Sequence, residues 1–294
     1  MIIDRSRVGG IKRALFAFIA GLFIAASSSV ALADTYAYIA NYSGGSFGLI
    51  DLNTGVVTSI GYNSSTGAPP GQGLSGLGEL ANGQVFTVIR SDTTDTLYTV
   101  NTSTGALASV GSASNLPSAY YDFGSTQNGL YALANENGVG GVLYSINPST
   151  GAATPIGDTG ISFFGWYSLS ASVDSSTLYF ADGNNLYTIN TATGAATIVG
   201  PLSGTYGSIE MGALLLEGTT LYGGANYTTA TNPTVDTINT STGAATTGPQ
   251  ASPYAVFDGL APYTPTSTVP EPVTLLFLAP SLLGLAALKR RFWR

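Results

Sequence analysis

One seven-residue unit recurs five times along this 294-residue chain, and its period restricts the fold more than any other feature. It first reads Leu49-Ile50-Asp51-Leu52-Asn53-Thr54-Gly55. It returns at Thr99 to Gly105, Ser145 to Gly151, Thr188 to Gly194 and Thr237 to Gly243, always ending in Thr-Gly. The glycines lie 50, 46, 43 and 49 residues apart. The Asp or Asn at the third position can bond the backbone two residues on and so open a turn. The glycine supplies the left-handed conformation that closes a four-residue hairpin loop. Before the turn, Leu97-Tyr98-Thr99-Val100 and near copies at 143–146 and 186–189 alternate at the strand period of two. After it, Ala-Ala-Thr-x-Ile/Val-Gly reads as the returning strand. Turn formation accounts for the repeated Asx residues, so they are not read as a ligand set.

Two further strand signals precede the turn. One is Val85-Phe86, Leu130-Tyr131, Leu178-Tyr179 and Leu221-Tyr222; the other lies near Leu77, Tyr121, Leu169 and Leu214. Four strands in 40 to 50 residues is the size of one propeller blade. The first copy starts directly at Tyr36-Ala37-Tyr38-Ile39 and lacks an innermost strand, while an orphan strand, Tyr254 to Leu260, follows the last copy. The predicted fold is all-β, a five-bladed β-propeller over residues 34–263 in which the terminal strand completes the first blade. Closure would remove the sheet edges that an open array exposes. An open β-solenoid or a two-sheet sandwich is the competing architecture. The Asp/Asn-x-x-Thr-Gly turn resembles that of quinoprotein-type propeller repeats, but the tryptophan those blades carry is absent, and no quinone cofactor is implied.

Both ends of the chain carry targeting patterns. Arg5, Arg7, Lys12 and Arg13 precede an apolar run from Ala14 to Ala26, and Ala31-Leu32-Ala33 then forms an A-x-A site. Residues 1–33 therefore read as a signal peptide cleaved between Ala33 and Asp34 after passage through the Sec translocon. At the other end, a spacer at 264–268 leads to Val269-Pro270-Glu271-Pro272, an uncharged stretch from Val273 to Leu288, and the basic end 289–294 with Lys289, Arg290 and Arg291. The apolar stretch is a little shorter than the roughly 20 residues that span a bilayer comfortably. The basic cluster should stay cytoplasmic. Motif, greasy helix and basic stop together resemble the PEP-CTERM sorting tail. That resemblance implies recognition by an exosortase in the inner membrane, then release to the bacterial cell surface or its exopolysaccharide matrix. A plain C-terminal membrane anchor is the alternative.

Composition narrows the chemistry. Between the two ends, Arg90 is the one cation against fourteen acids, because only Asp4 and Glu271 lie elsewhere. So acidic a body repels phosphate backbones, and nucleic acid is excluded as a partner. Cysteine and histidine are absent from the whole chain and lysine from the body. That removes disulfides, thiol nucleophiles, histidine bases and Schiff-base chemistry. The chain is accordingly read as non-enzymatic and without a resident cofactor, calcium remaining possible.

Two residue sets could still carry function. Tyr120, Tyr121, Phe164 (beside Phe163), Trp166, Tyr167, Tyr206 and Tyr254 fall where chain leads into the innermost strands, a common place for propeller ligands. Flat rings there could stack on sugar faces, or they could simply fill the core. Glu79, Asp122, Glu210 and Asp258 lie in or near innermost strands of different blades, and carboxylates paired across a pocket are what glycoside hydrolysis needs. A carbohydrate-active enzyme is thus one alternative. A calcium-dependent adhesion module using Asp92 with Asp95, or Asp174 with Asp182, is another, although neither pair has regular ligand spacing. Asn-x-Ser/Thr triplets, at Asn226 among others, are expected by chance in a chain so rich in these residues.

Overall fold

Each repeat period becomes an antiparallel β-meander in the computed structural model, which describes residues 35–41, 45–61, 73–89, 95–112, 120–135, 141–161, 168–202, 210–226, 233–253 and 256–264. The first repeat forms β1 (Tyr36–Asn41), β2 (Ser46–Asp51) and β3 (Val57–Gly61). The second forms β4 (Leu74–Glu79), β5 (Val85–Ile89), β6 (Thr96–Val100) and β7 (Leu107–Ser112). The third forms β8 (Tyr120–Thr126), β9 (Gly129–Asn135), β10 (Gly141–Ile146) and β11 (Ala153–Asp158). Then come β12 (Ser168–Ala171), β13 (Leu178–Ala181), β14 (Asn185–Ile189) and β15 (Ala196–Pro201), followed by β16 (Glu210–Glu217), β17 (Thr220–Asn226), β18 (Thr234–Ile238) and the short β19 (Ala245–Thr246). A last strand, β20 (Gly259–Pro262), pairs antiparallel with β1 and supplies the strand that the first repeat lacks. No helix occurs among the described residues.

Burial falls from the first strand of each sheet to the last. β4 and β12 are almost wholly buried, whereas the outermost strands β11 and β15 are largely exposed. The middle strands bury both faces, each against a different neighbouring sheet. On β9, Leu130, Ala132 and Ala134 pack with Phe86, Val88 and Leu97 of the second repeat. Tyr131 and Leu133 point the other way, onto Leu169, Leu178 and Phe180 of the fourth. A strand clamped between two sheets needs apolar residues at consecutive positions, and this is why the signals appear as runs such as Leu-Tyr-Ala-Leu-Ala.

The first strands of the sheets adjoin one another in a cycle: β20 beside β4, then β8, β12, β16 and back to β20. Between β12 and β16 the approach becomes parallel pairing, Ser170 with Leu214 and Ala171 with Leu215, which fuses the last two sheets into one of eight strands. Glycine permits such closeness. A Cβ on Gly124 would strike the carbonyl of Ser170, one on Gly212 the carbonyl of Phe257, and one on Gly259 would lie 2.6 Å from the Leu77 nitrogen.

The repeated turns make a second, outer set of contacts. In every copy the Asx Oδ1 accepts the N–H groups of the next-but-one and following residues, at 2.8–3.3 Å. The turn glycines sit at φ of 72–81°. Each turn then rests on the outer strand of the preceding repeat: Gly111 lies against Thr150, Gly157 against Thr193 and Gly200 against Thr242. The series also closes. Ser252 donates its N–H to the Gly55 carbonyl at 2.9 Å, and Val57 donates to the Ser252 carbonyl at 2.8 Å.

One expectation needs correction. The closing strand starts at Gly259, not at Tyr254. Phe257 is not part of it: its side chain is fully buried among Ile39, Ile50, Ala213 and Leu215, wedged between the first and last repeats. Its partner, Asn226, clasps the same residue by its backbone. Asn226 Nδ2 donates to the Phe257 carbonyl at 2.7 Å and Oδ1 accepts the Phe257 N–H at 2.9 Å.

Candidate functional site

Two of the four inner-strand carboxylates stand at one level, and Glu79 stands apart from them. Asp122 lies two residues into β8 and is 5% exposed. Its Oδ1 accepts the N–H of Phe123 at 2.7 Å, and its Oδ2 accepts the N–H of Leu169 on β12 at 2.6 Å. The carboxylate therefore bridges two sheets, using an oxygen for each. Asp258 is at the same level, since its carbonyl accepts the N–H of Gly76 at 2.7 Å and Gly76 also lies against Asp122. Glu79 is three residues further along β4 from Gly76, about 10 Å at the rise of a strand. It is fully buried, with its N–H donating to Ser125 Oγ at 3.0 Å. Glu210 opens β16, two residues ahead of Gly212, and burial raises its carboxyl pKa. Glu79 is therefore set apart along the strands from Asp122 and Asp258.

The other acids are held in separate turns. Asp174 accepts the Ser172 hydroxyl at 2.8 Å. The carboxyl of Glu217 has a raised pKa, first through burial and then through the charge of Asp174. Asp182 Oδ1 accepts the N–H groups of Asn184 at 2.9 Å and Asn185 at 2.7 Å, and its Oδ2 accepts the Tyr187 hydroxyl at 3.0 Å. Burial, followed by the charge of Asp182, pushes the Tyr187 phenol up to about 12. Asp95 is buried, and Asp92 lies outside the described residues. Among the described residues no group of three or more Asp and Glu side chains is placed to hold a metal ion.

Of the aromatic candidates, Tyr120 and Tyr121 prove to be the first two residues of β8, not part of the loop before it. Tyr120 stands opposite Ala134 in the register with β9. Phe164, Trp166, Tyr167, Tyr206 and Tyr254 lie outside the described residues, as do Ala31, Ala33, Asp34 and the tail from Val269 to Arg294. Two structural residues escaped the sequence reading. Asn226 was visible only as part of a chance triplet, and Ser125, whose hydroxyl accepts from Glu79, carries no pattern at all.

Comparison with known proteins adds the fold and little chemistry. A family profile described as a repeat of unknown function (DUF6923) matches residues 26–167. No curated protein matches the sequence significantly. Among solved structures, the chain is similar to one in a nidogen/laminin complex, at 11% identity and a TM-score of 0.50, over 76% of this chain and 97% of that one. It is also similar to TolB from Acinetobacter baumannii, with 14% identity and a TM-score of 0.45 over 73% of this chain. There it spans about half of the other protein's length, 52%. A calcium-binding protein, regucalcin, from Agrobacterium tumefaciens shares 22% identity over 74% of this chain and 72% of its own, with a TM-score of 0.44. At these identities the likeness concerns architecture alone: this chain is all-β and propeller-like.

Proposed function

We propose that this chain is an exported, non-enzymatic, five-bladed β-propeller of the bacterial cell surface or extracellular matrix, delivered by exosortase sorting. In this reading residues 1–33 are removed by signal peptidase after Sec export. Residues 34–263 form the propeller, 264–268 the spacer, and 269–294 hold the precursor in the inner membrane until processing. The observation that carries it is the ordered tail: Val269-Pro270-Glu271-Pro272, then an apolar run without charge, then Lys289-Arg290-Arg291. The cyclic contact of five first strands and the pairing of β20 with β1 support the blade count. The acidic body, with Arg90 its single cation, suits a rigid soluble disc among exopolysaccharide or other surface polymers.

Intact-mass measurement of protein recovered from the native host tests the sorting. The expected species begins at Asp34, lacks the residues beyond Pro270-Glu271-Pro272, and leaves the membrane fraction. Recovery only of membrane-bound chain still ending at Arg294 would establish a plain anchor. The same material decides the enzymatic alternative. Asp122 is committed to two backbone N–H groups, so Asp122→Asn should alter stability and leave no hydrolytic activity to lose. Reducing-sugar release from host polysaccharide that vanishes in Asp122→Asn or Asp258→Asn, with the fold retained, would instead make this a glycosidase.

A further inference from the structure

A groove lies between the second and third repeats of this acidic body. It is walled by Leu80, Ala81 and Asn82 of the β4–β5 turn, Gln127 and Asn128 of the β8–β9 turn, Gly129 to Tyr131 at the start of β9, and Ser145, Ile146 and Pro148 at the end of β10, with a volume of about 430 Å³. That volume falls within the roughly 300–1,000 Å³ typical of small-ligand sites. No charged side chain lines it. The equivalent turns of the fourth and fifth repeats carry Asp174 and Glu217, so the uncharged lining is a local property and not a general one. The apolar floor is Leu80, Leu130, Ile146 and Pro148.

Above that floor stand three primary amides. Asn82 is exposed, and its Oδ1 accepts the Gln84 N–H at 3.1 Å. Gln127 and Asn128 are exposed, and they hold their turn through their backbone N–H groups. Gln127 donates its N–H to the Ser175 carbonyl at 2.8 Å, and Asn128 donates its N–H to Thr126 Oγ1 at 3.1 Å. Each carboxamide offers a donor and an acceptor side by side. Vicinal hydroxyls of a sugar present the same pair, and the ring's axial C–H face suits an apolar floor.

We infer that this groove binds a short segment of a neutral saccharide chain. An anionic glycan would meet the repulsion of the body's fourteen acids and find no cation in the groove to offset it. The inference deepens the surface-polymer reading above and rests on it for the source of the glycan.

Affinity electrophoresis of the full-length protein in mild detergent tests the groove, using gels that contain a neutral glucan, mannan or galactan, or polygalacturonate as the anionic control. Retardation is expected in at least one neutral gel and not in polygalacturonate. Gln127→Ala should weaken that retardation at least about fivefold, consistent with loss of one well-formed hydrogen-bonding group. Asn82→Asp keeps the oxygen that caps Gln84 and removes the donor, so it should weaken binding with unchanged thermal unfolding. Retardation lost in Trp166→Ala but indifferent to Gln127→Ala and Asn82→Asp would overturn the groove while keeping the glycan-associated reading. No retardation in any neutral gel, or stronger retardation in polygalacturonate, would overturn the inference outright.

Discussion

The inner cycle of first strands and the outer cycle of hairpin turns solve one problem by different means. Both must bring neighbouring repeats to backbone contact all the way round. The outer cycle does so with one device repeated: an Asx turn and a left-handed glycine, met by a facing glycine on the preceding repeat at every junction but the closing one, where Gly55 meets Gln250. The inner cycle improvises. Gly124, Gly212 and Gly259 remove side chains at three junctions, Asp122 and Asn226 bridge the first two of these through backbone N–H and C=O groups, and β12 and β16 pair outright. Outer turns are solvated, so a missing bond is replaced by water. Inner junctions are dry, and a missing bond or an extra methyl has no such relief.

That contrast can be broken by mutation. The largest loss is expected from Phe257→Ala, which empties a fully buried position between the first and last repeats. Its cost should be about 3–5 kcal/mol, the usual range for a buried phenylalanine, read as a lower urea midpoint. Gly212→Ala comes next. The added methyl meets the Phe257 carbonyl and the Asn226 amide, and about 2–3 kcal/mol is expected from overpacking that neither can escape. If either variant unfolds at the wild-type midpoint, the inner cycle is not what closes the domain.

Asn190→Ala samples the outer cycle. It removes the acceptor for Ala192 and Thr193 in an exposed turn, so about 1 kcal/mol should be lost. A cost equal to that of Phe257→Ala would show that the two cycles are equally strained and that solvation is not the difference. The smallest effect, and one of opposite sign, is expected from Glu217→Gln. The folded protein raises this carboxyl above its ordinary value of 4.5 through burial and the nearby Asp174. Its favourable contribution is therefore complete below that ordinary value and is lost as pH rises through the folded one. At neutral pH the Gln variant should be slightly more stable than wild type, and the gap should vanish on acidification. A gap that widens at low pH would mean that Glu217 is paired favourably.

The two cycles were not equally legible in the sequence. Asx-x-x-Thr-Gly could be read because one local rule, a side-chain oxygen capping two N–H groups, governs all five copies, and the apolar runs marked strands buried on both faces. Asp122 looked like a catalytic candidate because an acid in an innermost strand is chemically conspicuous. That its oxygens bind Phe123 and Leu169 depends on a neighbour 47 residues away. The neutral groove is a similar case, since its walls come from turns that are dull in isolation and become a site only when two sheets set them side by side.

The sequence by itself determined the all-β class, the four-strand period, the turn chemistry, the acidic body without histidine or cysteine, and the order of Val-Pro-Glu-Pro, apolar run and basic cluster in residues 269–294. Each of these follows from residues close together in the chain or from simple counting. Tertiary structure alone decided that β20 starts at Gly259 and pairs with β1, that Phe257 and Asn226 hold the first and last repeats together, and that Glu79 stands at a different height from Asp122 and Asp258. Those facts depend on how sheets distant in sequence are spaced about a common axis. Such spacing is set by the close approach of backbones at Gly124, Gly212 and Gly259, a steric condition that no local pattern encodes.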